Sequence, residues 1–327
     1  MAIAQHFLFS LIAFATIWIF AGILIDSITR VAQRFHRSSF SAAFFILGFL
    51  TSISEISVAF NSTISGVPQV SAGNLVGASF VLLLLVVPML AFVGHGLSLH
   101  GRMLGKKFGY ILVVVLLPSL LALDGRVGVG DGLLALLAYA SLVYIISERN
   151  IRPVVPLGEV ESDLIQKNRN NSSIRDYLKI VAGALAIFLA GHALVEQAVF
   201  FSNILAVPSS LIGLFMLSIG TNLPELIIGA RSILRKRKDI AFGDYAGSAA
   251  ANTAVFGVLA IVNRGFLVER SEFIATAGLM LLGFVTLYFF AKSGRRLSRG
   301  EGGLLLLYYV IFLCLQTFNL IRISTLL

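Results

Sequence analysis

Two glutamates, Glu55 and Glu225, lie 170 residues apart, each inside a strongly apolar stretch of the chain. Each closes a short polar passage, TSISE at 51–55 and TNLPE at 221–225. A charged side chain in a segment that crosses a bilayer costs about 2.5–3.5 kcal/mol on insertion scales and marks a functional site by default. Two such glutamates at a fixed offset predict one site that is assembled from two halves of the chain.

Hydroxyl and amide side chains accompany both glutamates at helical spacing. Steps of three and four residues place them on the same helix face as the glutamate. They are Thr51 and Ser52 in the first passage, and Thr221 and Asn222 in the second. Hard cations such as Ca2+ take six to eight oxygen ligands, so these side chains are candidate cation ligands together with the two carboxylates.

Pro224 directly precedes Glu225. A proline inside a helix removes a backbone hydrogen bond and usually kinks or interrupts the helix. Within a membrane the freed carbonyls must face protein, water or an ion. We therefore predict a break beside Glu225. The first passage has Ser54 at the equivalent place, where Gly48 and Gly66 could loosen the helix instead.

The segment after each passage opens with two glycines four residues apart. Small residues at this spacing let helix backbones approach closely, so we expect tight packing here. The pairs are Gly73/Gly77 and Gly243/Gly247.

The two copies of this segment differ in their polar side chains. The second copy carries Ser248 and Asn252, whereas the first has Ala78 and Leu82 in the matching places. Only the second half therefore offers a full set of oxygen ligands here. Asp244, in the same segment, is expected either to cap the start of a helix or to join the ligands.

The composition is that of an integral membrane protein. The chain is 57% hydrophobic and only 13% charged, whereas soluble domains carry about 25% charged residues. Its single cysteine, Cys314, excludes an intrachain disulfide. A spanning helix needs about 20 apolar residues, and ten segments qualify. These are 6–28, 39–65, 71–97, 108–123, 130–147, 175–197, 207–232, 240–263, 270–291 and 303–322.

The net charge of +9 is a topology signal and does not indicate nucleic-acid binding. When alternate loops are assigned to opposite sides of the membrane, one side collects 21 of the 25 Lys and Arg residues. Such an asymmetry places the basic side in the cytoplasm and both termini outside. We expect a multi-pass protein of the plasma (inner) membrane, with the lipid bilayer as its surroundings.

The polar stretch 148–174 predicts a cytoplasmic linker between two five-helix halves, residues 1–147 and 175–327. Because five is odd, two homologous halves must enter the membrane from opposite sides. Inverted repeats of this kind are typical of secondary transporters, whose substrate site lies at the repeat interface near the midplane. The predicted fold is all-α, with ten transmembrane helices in two inverted five-helix repeats.

The two passages resemble the repeats of the calcium/cation antiporters, most closely the sodium/calcium exchanger-like branch. The family patterns are G-T-S-L-P-E and G-N-x-x-G-S-N-x-x-N/D, and this chain has TSISE with GNLVGAS and TNLPE with GDYAGSAAAN. The resemblance covers both repeats, the helix count and the linker. It implies a ten-helix exchanger of calcium for sodium or protons, which are cargo, with no cofactor.

Carried over by position, the resemblance implies that Glu55 and Glu225 are the central calcium ligands. It implies that further oxygens for calcium or sodium come from Thr51, Ser52, Thr221, Asn222, Ser248 and Asn252.

The chain departs from the family pattern mainly in the first repeat. There Leu50 replaces glycine, Ser54 replaces proline, Ala78 replaces serine and Leu82 replaces asparagine or aspartate. In the second repeat Asn222 replaces serine and Asp244 replaces asparagine. The ion stoichiometry, and with it the coupling ion, is therefore open between sodium and protons.

Other functional classes fit the sequence less well. An intramembrane aspartyl protease needs two mid-membrane aspartates, and only Asp244 qualifies; the H-E-x-x-H motif of zinc proteases is absent from the sequence. A cation channel is compatible with buried carboxylates, but inverted repeats usually serve alternating access. Manganese and magnesium also fit an all-oxygen site. Acids near segment ends, among them Glu269, Glu272 and Glu301, are expected to be solvated.

Overall fold

A computed structural model of the chain describes residues 2–32, 52–98, 106–147, 174–223, 225–226, 238–294 and 296–324. A helix lies in each of the ten predicted segments, although 39–65 and 207–232 are described only in part. The linker 148–173 and the predicted site residue Thr51 lie outside the described residues. The helices are α1 (Ala2–Ala32), α2 (Ile53–Ile64), α3 (Pro68–Val93), α4 (Lys106–Leu121), α5 (Val129–Ser147), α6 (Ile174–Leu205), α7 (Ser209–Thr221), α8 (Lys238–Val262), α9 (Arg270–Gly294) and α10 (Arg299–Ser324).

Six stretches of the described helices are long and apolar enough to cross a membrane. They are Ile3–Ile23, Pro68–Val93, Val129–Ile146, Ile174–Leu205, Tyr245–Val262 and Arg270–Ser293. Large apolar side chains also cover the outward faces of the helix bundle, for example Phe7 on α1, Leu137 on α5 and Phe289 on α9. Such a surface suits lipid and not water.

Two of the helices contain a π-helical segment, Leu82–Val86 in α3 and Gly213–Leu217 in α7. Single-turn π-bulges inside α-helices frequently lie at functional sites. α3 begins at Pro68, which suits the first helical position because proline has no N–H to leave unpaired. Gly66, with φ of +69°, makes the turn from α2 into α3 and so does not loosen α2 from within.

Two short strand pairs reveal an internal equivalence of the two halves. Strand β1 (Leu97–Ser98) pairs antiparallel with β4 (Arg296–Leu297), and β2 (Arg126–Val127) pairs antiparallel with β3 (Phe266–Leu267). An offset of 169 residues turns β1 into β3, and an offset of 170 turns β2 into β4. When these offsets are applied, the residue pairs of β1 and β4 coincide with the residue pairs of β3 and β2. The halves therefore exchange equivalent partners across the molecule.

Glycines let helices of opposite halves approach backbone to backbone. A Cβ added at Gly73 of α3 would lie 1.8 Å from the carbonyl oxygen of Ser210 in α7, and one at Gly77 would lie 2.2 Å from that of Leu214. The close packing predicted for the first glycine pair is confirmed. Gly132 on α5 similarly meets the backbone of Gly257 on α8.

The buried apolar side chains form two clusters. The larger is built from α3, α4, α5, α8, α9 and α10, with Phe80, Tyr245 and Phe256 among its largest members. The smaller lies mainly between α1, α6 and α7 and includes Ile17 and Leu194. Helix α2 carries buried polar residues, Ser54, Glu55 and Asn61 among them, and contacts α1, α3, α6 and α8. The polar side chains of α2 thus lie among helices of both clusters.

Gly73→Ala is expected to destabilise the fold, because its new methyl group would overlap the backbone of α7. Overpacking of a tight interior typically costs about 1–3 kcal/mol, which a lowered Tm of the purified protein in detergent would report. Gly278→Ala is the matched control, since a Cβ there meets nothing within 4 Å. Equal Tm values for the two variants would contradict the close α3–α7 contact.

Candidate cation-binding site

The backbone leaves the helical conformation at equivalent positions of the two passages. Ser52 has φ of −79° and ψ of 13°, and Asn222 has φ of −92° and ψ of 10°. Helical residues have ψ near −42°. In each passage the amide of the residue after the glutamate donates a helical hydrogen bond back to the irregular residue. Ile56 N donates to Ser52 O, and Leu226 N donates to Asn222 O.

The predicted break beside Glu225 is thus present, and it falls at Asn222. Pro224 itself lies outside the described residues. Ser52 in the first passage has backbone angles similar to those of Asn222, although no proline follows it. A proline is therefore not required to interrupt the helix in the first passage. Both glutamates follow the irregular residue by three positions, at the start of a helical turn. Partial positive charge at a helix start favours a carboxylate in this position.

Glu55 is linked to the second passage through its neighbour Ser54. The Ser54 hydroxyl lies 2.7 Å from Glu55 Oε2 and 3.3 Å from the carbonyl oxygen of Thr221, to either of which it can donate. All three residues are buried, with Glu55 only 2% exposed. One hydroxyl therefore joins the carboxylate of one half to the backbone of the other, four residues before Glu225.

Thr221 also contacts α3. Its hydroxyl donates to Asn74 Oδ1 over 3.4 Å, and both side chains are fully buried. Asn74 lies between Gly73 and Gly77, so the close approach of α3 to α7 brings this amide to the passage. Three helices, α2, α3 and α7, meet at Thr221.

Glu225 is 1% exposed and is held from α8. The hydroxyl of the buried Tyr245 donates to the Glu225 backbone carbonyl over 2.9 Å. The Asn222 side-chain nitrogen donates to Ser218 O over 2.7 Å. Helix α8 thereby holds the backbone at Glu225, while the amide of Asn222 comes from the end of α7.

Ser248 and Asn252 are buried on α8, as a role in the site requires. Asn252 Nδ2 donates to the Ser79 hydroxyl of α3 over 3.3 Å, and Ser79 in turn approaches Ala249 O at 3.3 Å. Ser79 directly follows Ala78, which stands where the family pattern has serine. A hydroxyl on α3 therefore does face α8, one residue later than that pattern indicates.

Within the described part of the chain, two buried amide oxygens, Asn222 Oδ1 and Asn252 Oδ1, have no hydrogen-bond partner. A buried acceptor left unsatisfied costs about 1–3 kcal/mol, and a bound cation would remove that cost. The buried polar groups of these helices are carboxylate, amide, hydroxyl and backbone carbonyl oxygens, the ligand types that hard cations prefer. Their chemistry suits a cation such as calcium or sodium.

The sequence did not identify four residues that contact the predicted set. These are Ser54 inside the first passage, Asn74 and Ser79 on α3, and Tyr245 on α8. Asn74 could have been found from its place between the two glycines. The Ser54 and Ser79 contacts join residues 167 and 173 positions apart, which no local pattern encodes.

The structure excludes one of the two roles expected for Asp244, and the expectation for Glu272 was wrong. Asp244 cannot cap a helix start, because α8 begins at Lys238 and Asp244 lies well inside it. Glu272 is not solvated: it is 6% exposed and accepts a hydrogen bond from the Ser210 hydroxyl over 2.7 Å. Glu301 lies near a helix start, as expected, and accepts from Ser298 N over 2.7 Å.

Comparison with known sequences gives a match along nearly the whole chain. A sequence model of the sodium/calcium exchanger protein family matches residues 5–147 and again 177–318. An uncharacterized membrane protein of Methanocaldococcus jannaschii is 24% identical over 282 residues, 86% of this chain and 88% of that protein. The sodium/calcium exchanger MaX1 of Methanosarcina acetivorans is 29% identical over 140 residues, 42% of this chain and 40% of that protein.

Solved structures share the fold. The H+/Ca2+ exchanger CAX superimposes with a TM-score of 0.71, covering 99% of this chain and 86% of its own, at 16% identity. The sodium-calcium exchanger NCX_Mj superimposes with a TM-score of 0.60, covering 96% of this chain and 99% of its own, at 21% identity. At these identities the likeness concerns the fold alone.

Ser54→Ala is expected to weaken cation binding about tenfold, because Glu55 loses the hydroxyl that orients it. A hydrogen bond to a charged group contributes about 1.5–3 kcal/mol, and 1.4 kcal/mol is a factor of ten. The measurement is the calcium concentration that half-stabilises the purified protein against thermal unfolding. Ser57→Ala is the control, since that buried hydroxyl donates to Ile187 O instead. Equal calcium requirements for both variants would contradict the role of Ser54.

Proposed function

Because the chain belongs to the sodium/calcium exchanger protein family, we propose that it is a secondary active antiporter exchanging calcium for sodium by alternating access. Family membership makes it a multi-pass membrane transporter and not an enzyme. The observation that carries the finer proposal is the pair of buried glutamates, Glu55 and Glu225, at equivalent backbone positions.

The proposed topology is ten transmembrane helices in two inverted repeats, residues 1–147 and 175–327, with 148–174 as a cytoplasmic linker. The family match in two blocks supports two repeats. The interchangeable strand pairs β1–β4 and β2–β3 support a twofold relation between them. The Lys and Arg asymmetry of the loops supports both termini outside, in a plasma membrane.

In the proposed site Glu55 and Glu225 are the central ligands. Ser52, Thr51 and Thr221 add hydroxyl or carbonyl oxygens, while Asn222, Ser248 and Asn252 complete the shell. The unsatisfied oxygens Asn222 Oδ1 and Asn252 Oδ1 support this assignment, because a ligand oxygen must be free to face the ion.

Exchange follows from competition for one pair of charges. Two carboxylates held together in an apolar environment repel each other and need neutralisation. One calcium ion supplies two positive charges, and monovalent ions or protons supply the same charge singly. Either occupant excludes the other, so calcium leaves when sodium or protons take its place. Alternating exposure of this site to the two sides then couples the two gradients.

Proton coupling is the second candidate, and a specific feature of the first repeat favours it. Ala78 and Leu82 offer no oxygen where the second repeat has Ser248 and Asn252. A sodium ion needs several oxygens, whereas a proton needs only one, so the loss of ligands is more costly for sodium. The H+/Ca2+ exchanger CAX also shares the fold over 99% of this chain.

Glu55→Gln and Glu225→Gln are each expected to abolish calcium uptake into proteoliposomes. Glutamine keeps the shape but removes one of the two charges that balance calcium. Glu196→Gln is the control: this acid is exposed on α6, 3.4 Å from His192, and should transport normally. Normal uptake by both site variants would refute the paired-glutamate site.

The coupling ion is identified by imposing one gradient at a time on proteoliposomes loaded for calcium uptake. We expect uptake with an outward sodium gradient at equal pH on both sides. Uptake driven only by an outward proton gradient, in the absence of sodium, would instead establish the proton candidate. Calcium flux that needs neither gradient would contradict exchange and indicate a channel.

A further inference from the structure

A second buried acid lies away from the paired glutamates. Glu272, in the first turn of α9, is 6% exposed, and Ser210, in the first turn of α7, is 2% exposed. The Ser210 hydroxyl donates to Glu272 Oε2 over 2.7 Å, while Glu272 Oε1 is buried and has no hydrogen-bond partner among the described residues. Helix α7 rises about 1.5 Å per residue, so Ser210 lies roughly 16 Å from Thr221.

No basic side chain in the described part of the chain lies within 4.0 Å of this carboxylate. Charged groups lie in the loop that precedes it and in the loop around Gly125, which packs against Arg270. All of them are exposed: Asp124, Arg126, Glu269 and Arg270. Helices α3 and α7 carry no charged or titratable residue over 68–81 or 209–221. On α10, Tyr308 bonds Leu279 O, two turns further along α9.

A buried carboxylate without a counter-charge is very unfavourable as an anion. A divalent cation does not suit it, because calcium takes six to eight oxygens and the contacts here supply one carboxylate and one hydroxyl. A proton needs no such shell. With the proton on Oε1, Oε2 acts as a carbonyl oxygen and accepts from Ser210, as the distance indicates.

We propose that Glu272 is a proton-binding site, separate from the paired-glutamate site, and that its proton keeps the Ser210 end of α7 packed against α9. Loss of the proton leaves a buried anion that must reach water, so α7 separates from α9 at this end. The position exists in one half only, since the offset of 170 places Arg102 in the other. Proton release here therefore acts on one end of the helix that carries Thr221.

The site is tested directly by infrared spectroscopy of the purified full-length chain across a pH series. The background is the Glu55→Gln/Glu225→Gln variant, in which the paired-glutamate site has no carboxylate. We expect a protonated-carboxyl band at neutral pH that Glu272→Gln removes and Glu269→Gln, an exposed acid three residues away, retains. Ser210→Ala should move the band to higher frequency, because the carbonyl oxygen loses its donor.

Three outcomes would overturn the proposal. One is the absence of the band at neutral pH, which would mean that Glu272 is ionised. Another is loss of the band when sodium or potassium is added at constant pH, which would identify an alkali-ion site. The third is persistence of the band in Glu272→Gln. This test needs no transport, so it can fail or succeed independently of the proposed exchange.

The packing role has its own readout. In the otherwise native chain, Tm should fall as pH rises through the proton-release range, and Glu272→Gln, a permanently neutral isostere, should show a smaller fall. Glu196→Gln, which removes an exposed acid on α6, should follow the native chain. Superimposable pH profiles for the native chain and Glu272→Gln would refute the coupling of this proton to the α7–α9 contact.

Discussion

The need to neutralise two carboxylates inside an apolar fold is the constraint on which the other features depend. Glu55 and Glu225 are both almost fully buried, and neither charge is stable there alone. The irregular backbone at Ser52 and Asn222, the amide oxygens without hydrogen-bond partners and the Ser54 bridge each supply oxygen or position it. The glycine contacts between α3 and α7 let those oxygens approach from opposite halves. In the proposed function, a mobile ion completes this electrostatic balance.

The two halves are alike in backbone and unlike in side chains. Equivalent angles at Ser52 and Asn222, and strand pairs that interchange under the repeat offset, show how closely the chain path is repeated. The polar side chains proposed for the site are not repeated: Ser54 corresponds to Pro224, and Leu82 corresponds to Asn252. Backbone packing involves every neighbouring helix and tolerates little change. A polar side chain, in contrast, can be lost from one half when a nearby hydroxyl replaces it. Ser79 of α3, for example, faces α8 next to the position of Ala78.

Much of the fold could be predicted because apolar length and charge asymmetry act locally along the chain. Each of the ten segments contains a helix, and the paired glutamates are buried as their placement required. No proline marks the break at Ser52, so the sequence did not locate it. The burial of Glu272 was missed because it depends on tertiary contacts. A position near a segment end indicates exposure only when no other helix covers it, and here Ser210 of α7 does. Strands of two residues carry no periodicity that a sequence could show.

In the proposed site, charge alone would not select the ion that replaces calcium; the number of available oxygens would. Two carboxylates accept any combination of ions with a total charge near two, so sodium and protons are equivalent in that respect. They differ in coordination, because sodium must exchange its hydration shell for protein oxygens while a proton binds a single oxygen. Each oxygen absent from α3 in the first half, at Ala78 and Leu82, therefore raises the free energy of a sodium-occupied state and leaves a protonated state unchanged. The Ser54 hydroxyl acts in the opposite direction, since it adds an oxygen where the second half has a proline. Which cation completes the site thus depends on whether Ser54 and Ser79 compensate for the two missing ligands.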